Sequence, residues 1–349
     1  MMRTTTTTGT SHYDIQKQRR KDLIEEWRRY QKTIVGRADV AMVDDPIRRA
    51  RRGVYIGRDG DRPSMNLDAT VHEVAPGTTT TIHRHSWDAV GFVESGLGWT
   101  EIDGQRIEWR PWDSFYLPAW SWHRHGNDGD VPTTFLTWSV EPMLEFLGAA
   151  QIEDAGDTPV AELPPAPLAA PDVIGDHPYA RRLQRLRNQP IGSSNTRLLT
   201  RFEDVRGVVS KRGARSLFLV DSTLGYRTQG LSIVMHELAP GRHQARHRHG
   251  GDAYLYVVKG NGHTTVDDVP HAWHTGDLIV VDHWVWHQHV NSDPTTTARL
   301  IRVHNVDALY NMMRVLLDPL ELIEEPPVLD APDLEGVVWP DHLLGRPEI

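Results

Sequence analysis

At 349 residues the chain is long enough for two domains, each with a sizeable core. It has no unbroken apolar stretch of the roughly 18 residues that span a membrane, and no apolar leader at the N-terminus. The net charge of −9 is spread without a basic domain, which excludes nucleic acid as the main partner, and the absence of Cys excludes disulfides and thiolate ligands and fits a cytoplasmic protein.

In chain order, residues 1–11 are Thr-rich and low in complexity. His12 to Thr33 is rich in helix formers, with Ile15, Leu23, Trp27 and Tyr30 on one stripe, so an amphipathic helix is expected, packed on a barrel or a neighbouring subunit. Residues 34–63 read as loops and lead-in strands. From Met65 the pattern becomes short alternating runs broken by Gly, Pro and Asp, as an all-β barrel requires. Met143 to Ile152 reads as a short helix, Ala161–Asp172 (AELPPAPLAAPD) as an extended linker, and HPYARRLQRLRNQ as a helix. A second barrel follows, then the apolar helix beginning DALYNMM and an irregular tail expected to wrap a partner subunit. The expected domains are 1–63 (arm and helix), 64–150 (first barrel), 151–214 (linker and helix), 215–306 (second barrel) and 307–349 (helix and tail).

The chemistry gathers in the His-rich stretches. His83 and His85 are two apart, and in a strand such residues share a face. A third imidazole from a distant strand, His123, can complete three ligands on one side of a metal and leave the other side open. His125 shares that face, so geometry alone permits either. Three His without a thiolate suit iron, zinc, copper or nickel rather than calcium or magnesium. Three neutral rings leave a divalent ion's charge uncompensated, so such a site attracts an anionic, chelating substrate with room for dioxygen or water. The whole stretch then recurs at a shift of 164 residues: HEVAPG becomes HELAPG, His83, His85 and His123 become His247, His249 and His287, and His125 becomes His289. Two copies of about a barrel's length indicate duplication rather than a solenoid.

The pattern G-x5-H-x-H followed by P-x4-H-x3-N resembles the two cupin motifs, which implies two tandem double-stranded β-helix barrels flanked by N- and C-terminal helices: an all-β bicupin. The H-x3-N spacing selects His123 and His287 as ligands and leaves His125 and His289 as pocket groups. The Glu that many metal-binding cupins supply is absent, because Ala89 and Val90, and Ala253 and Tyr254, stand there. Asp88 and Asp252 fall on the opposite strand face and read as loop or supporting groups.

HRHSWDAVGF and PAWSWHRHGN further resemble the HRHxQSALRF and PxWxWHDHGN stretches of the gentisate 1,2-dioxygenase family, which includes salicylate and 1-hydroxy-2-naphthoate dioxygenases. The resemblance implies Fe(II), one or two per chain, held by His83, His85 and His123, with the second triad as a further metal site. It implies His125 as the catalytic pocket His, and a hydroxylated aromatic plus O2 as substrates. The pocket is expected to be lined by Trp87, Asp88, Gly91 and Arg84, and in the second half by His289. The family's carboxylate-binding Arg falls on Gly91 and its Gln on Trp87, so the substrate is expected either to lack that carboxylate, to be larger, or to be held by Arg84, Arg124 or an N-terminal Arg such as Arg51 or Arg52. Pro118 becomes Asp282 in the second half. The function expected is Fe(II)-dependent ring cleavage by a cytoplasmic homo-oligomer, dimer or tetramer, with no nucleic-acid or membrane partner. The rivals are another metal-dependent bicupin enzyme (decarboxylase, isomerase or hydrolase) and a non-catalytic small-molecule-binding bicupin.

Overall fold

The computed structural model describes residues 11–29, 32–168, 170–189, 191–305 and 329–348. Helix α1 (His12–Arg29) forms a unit by itself. Its N-terminus is closed reciprocally: the Asp14 amide donates to Ser11 Oγ at 3.1 Å, and the Ser11 amide donates to the Asp14 carboxylate at 3.2 Å.

From Thr33 onward the chain builds two barrels whose strand pairs, among the described residues, are all antiparallel. In the first, a seven-stranded sheet contains Ala50–Ile56, Ala69–Val74, Thr133–Ser139, Ala89–Ser95 and Ser114–Leu117. It faces a second sheet built from His83–His85, His123–Asn127, Gly98–Ile102 and Gln105–Trp109. The second half repeats this with a seven-stranded sheet and a three-stranded one. One buried apolar cluster runs through both halves, from Trp109, Phe115 and Trp138 to Tyr254, Tyr256 and Ile301. Each such side chain taken from water contributes about 1.5–3 kcal/mol, so the two barrels share a core.

The halves also exchange edge strands. Ile34–Val35, from before the first barrel, pairs with Leu278–Val281 of the second, and Leu199–Thr200, from the connector, pairs with Ser114–Leu117 of the first. Asp113 and Asp277, equivalent by the repeat, hold these crossings. Asp113 accepts the Phe202 amide at 2.9 Å, and Asp277 accepts the Arg37 amide at 3.1 Å. The expected boundaries therefore shift. The first barrel's sheet already includes Val43–Asp45 and Ala50–Ile56, and the second takes in Gly207–Val209.

One further expectation is corrected: helix α2 covers only Glu141–Phe146, and Ile152 opens a strand, Ile152–Asp154, that pairs with His83–His85. The described tail is tied to the second barrel, where the Pro340 and Asp341 carbonyls accept from Arg215 at 2.6 Å and Arg299 at 3.1 Å. Helix α3 (Pro178–Arg187) forms as expected; the helix beginning DALYNMM lies outside the described residues. Among those residues, no helix is long and apolar enough to cross a membrane.

Candidate metal centres

Local sequence explains how three distant rings meet. Gly77 sits at φ +67°, a left-handed conformation that glycine adopts without strain, and its amide donates to the Asn127 carbonyl at 2.8 Å. The Asn127 side chain donates to the carbonyls of Val74 at 3.0 Å and Val131 at 2.8 Å, so the motif's Asn is a staple across the strand ends. Adjacent strands place His83 directly opposite His123. The loop before His123 turns through Trp120, non-glycine at φ +64°, whose amide donates to the His85 carbonyl at 2.6 Å. Trp284 repeats this at φ +60°, bonded to the His249 carbonyl at 3.1 Å. Both halves accept local backbone strain to tie the third ring's loop to the second ring.

In the first centre the ring centroids of His83, His85 and His123 lie 4.2–5.8 Å apart. In each half the three potential ligand atoms fall within 4.8 Å of one another. Backbone carbonyls set the tautomers. His85 Nδ1 meets the Trp87 carbonyl at 2.7 Å and His123 Nδ1 the Ser121 carbonyl at 2.9 Å. A carbonyl only accepts, so each Nδ1 carries the proton and Nε2 keeps its lone pair for the cluster. His247 and His287 are tied likewise at 2.7 and 2.9 Å, and His249 at 3.3 Å. Burial, reinforced by neighbouring rings and Arg48, pushes His83 and His85 well below the usual imidazole range; burial pushes His123 down to about 4. Neutral, converging imidazoles with their other nitrogens mostly committed to carbonyls fit a divalent transition metal.

The first centre opens on a cavity of about 240 Å³. Trp87 and Phe135 form apolar walls, Arg48 and Arg52 supply positive charge, and His125 lies beside the triad. Trp87 lies flat on His85, 4.5 Å between centroids with planes 4° apart. His125 Nδ1 is 2.9 Å from Thr100 Oγ1, which also accepts the Trp109 indole N–H at 2.9 Å. With a lone pair of Thr100 taken by Trp109, its hydroxyl proton can go to His125 Nδ1. That tautomer presents an Nε2–H donor to the cavity. Thr264, Trp273 and His289 repeat the relay at 2.8 and 3.1 Å.

Trp87 and His125 line the first pocket and His289 the second, but three expected contacts are not in the cavity. The Arg84 guanidinium faces away, bonded to Glu153 at 2.9 Å and the Pro165 carbonyl at 2.9 Å and stacked over Trp122 at 4.4 Å; it anchors the linker. The buried Asp88 accepts the amides of Ala119 at 2.9 Å and Gln229 at 2.7 Å, so it braces the ligand loop against the other half. Gly91 is covered: a side chain there would meet the Phe115 ring at 2.2 Å. Arg124 pairs with Glu101 at 2.6 Å, and Arg51 with Asp44 and Glu73 at 3.0 Å each; neither lines the cavity, whereas Arg52 does. Sequence reasoning missed Arg48, His72, Thr100 and Phe135. The repeat held a signal for three of them, since Arg48, His72 and Thr100 recur as Arg212, His236 and Thr264. We expect Asp88→Ala to destabilise the fold by about 1–3 kcal/mol, because two part-buried backbone amides lose their buried acceptor. Denaturant midpoints check this.

The comparisons agree with this architecture. The Cupin domain model matches residues 70–139 and 234–304. A 1-hydroxy-2-naphthoate 1,2-dioxygenase of Nocardioides sp. is 25% identical over 87% of this chain and 81% of its own length. A gentisate 1,2-dioxygenase of Streptomyces sp. is 28% identical over 66% of this chain and 72% of its own. Among solved structures, the salicylate 1,2-dioxygenase of Pseudoaminobacter salicylatoxidans superposes with a TM-score of 0.58 at 19% identity, covering 85% of this chain and 83% of that one. An oxalate decarboxylase of Lactobacillus farciminis reaches 0.56 at 14% identity, covering 79% and 86%. Shape alone therefore gives the two-barrel fold, and sequence likeness points to one branch of it. With two cupin domains, two His triads and these relatives, the chain is a gentisate-dioxygenase-like bicupin.

Proposed function

We propose that the first barrel is an Fe(II)-dependent ring-cleaving dioxygenase centre acting on an aromatic acid with a hydroxyl beside its carboxylate, with both atoms of O2 entering the product. The observation that carries this reading is the neutral His83–His85–His123 cluster opening on a cavity with two arginines and flat aromatic walls. Iron, when bound, supplies the electronic route by which dioxygen reacts with a closed-shell ring. The protein's part is positioning and proton control. Arg48 and Arg52 hold the carboxylate, Trp87 and Phe135 confine the ring, and the buried walls exclude water. His125, its tautomer set by Thr100, donates from Nε2 to a substrate oxygen. The ring bond between the hydroxyl-bearing and carboxylate-bearing carbons then breaks. The relatives' names, hydroxynaphthoate, aminosalicylate and gentisate dioxygenases, support this substrate class. With Phe115 packed over Gly91, that position offers the substrate no cation, which leaves the carboxylate to the arginines that line the cavity. The same reading makes the chain a cytoplasmic homo-oligomer. Anaerobic Fe(II) reconstitution followed by oxygen uptake across salicylate, gentisate, 5-aminosalicylate and 1-hydroxy-2-naphthoate tests it. Turnover of at least one is expected; an iron-loaded chain inert to all four refutes the reading.

A further inference from the structure

The second pocket keeps the triad but not the walls, and the duplication allows position-by-position comparison. Strand register makes Leu300 the counterpart of Phe135 and Arg302 the counterpart of Thr137. The repeat shift makes Gly251 the counterpart of Trp87 and Ser232 that of Asp68. Both aromatic walls are therefore gone, and a cation stands where a neutral hydroxyl stood. The first pocket is lined by Asp45, Asp68 and Glu141 besides its arginines. Among the described residues, no carboxylate lines the second, whereas Lys211, Arg212 and Arg302 do. Its cavity of about 350 Å³ exceeds the first, so wall chemistry rather than size decides what it takes.

Arg302 is the informative group. One guanidinium nitrogen lies 3.2 Å from His304 Nδ1, and its Nε is buried with no hydrogen-bond partner. A buried donor left unmade costs about 1–3 kcal/mol, more when charged. That cost is recovered when an anion fills the pocket. A planar guanidinium recognises two oxygens at once, and a metal on three neutral rings adds further uncompensated positive charge.

We propose that the second centre binds a small, ring-free dianion, of which a short dicarboxylate is the type, between a metal on His247, His249 and His287 and the Arg302 guanidinium. The inference does not rest on ring cleavage in the first barrel and survives its failure. It is tested on the full-length His83→Ala chain loaded with Co(II), in which the visible spectrum of cobalt reports the second centre. Malonate should change that spectrum at least tenfold more tightly than salicylate. Arg302→Met should weaken malonate by at least tenfold with cobalt content unchanged. Lys211→Gln, at an exposed position that does not put folding at risk, should weaken it severalfold and steepen no salicylate response. Salicylate binding as tightly as malonate overturns the proposal, as does wild-type malonate affinity in both variants.

Discussion

His123→Ala should lose the metal of the first centre and oxygen uptake together, whereas His125→Ala should keep the metal and lose turnover. The two rings lie on one strand face, 6.1 Å apart, yet their surroundings assign them different work. His123 Nδ1 is committed to a backbone carbonyl, which leaves Nε2 as a lone pair beside His83 at 4.2 Å between centroids. His125 is joined instead to Thr100, packed against Phe135 at 4.8 Å, and falls outside the ligand group. A positioned proton donor contributes about 10²–10⁴-fold, so His125→Ala should lower kcat by that range with iron content intact. Thr100→Val supplies the finer test, since it removes the hydroxyl while retaining the shape. A residue that only fills space would leave the pH profile of kcat unchanged, whereas loss of the tautomer lock should move it. Iron lost from His125→Ala and kept by His123→Ala would reverse the assignment.

The second large effect concerns the carboxylate. Arg48→Met should lower kcat/KM for hydroxylated aromatic acids by roughly 10–100-fold, with the loss in KM and the iron retained. The magnitude follows from a charge-assisted contact worth about 1.5–3 kcal/mol. Arg48 is held at the cavity wall by Asp154 at 3.0 Å and Thr81 at 3.1 Å, and its charge reaches all four rings of the first site. Gly91→Arg should not compensate, because the Phe115 ring occupies the space that side chain needs. Unchanged KM in Arg48→Met, with full turnover, would place the carboxylate elsewhere and leave Arg52 as its holder.

The repeat and the triads were legible because metal ligation is local: rings two apart on a strand, a glycine that must turn and an Asn that must staple. The same cannot be said of Arg48, which stands in a stretch that reads as loop, and whose role appears only when Ala50–Ile56 folds over the cavity. Asp88 was legible as a loop or supporting group, which its bonds to the Ala119 and Gln229 amides match, but its expected place in the pocket lining fails for a similar reason. Its partner Gln229 is 141 residues away, and nothing near Asp88 in sequence indicates that its carboxylate is consumed by backbone amides. The exchanged strands are two residues each, too short for any alternation to register. Gly91 shows the limit of alignment by motif. The missing Arg is visible in sequence, but Phe115 filling its place is a fact of packing.

The account's central claim is that ring cleavage happens at the first triad. The most direct measurement is oxygen uptake by iron-loaded wild type, His83→Ala and His247→Ala with the best substrate of the aromatic panel, with aromatic loss followed by absorbance in the same cell. The account predicts one O2 consumed per ring opened in the wild type and in His247→Ala, and none above background in His83→Ala. Uptake that survives His83→Ala and vanishes in His247→Ala would contradict it.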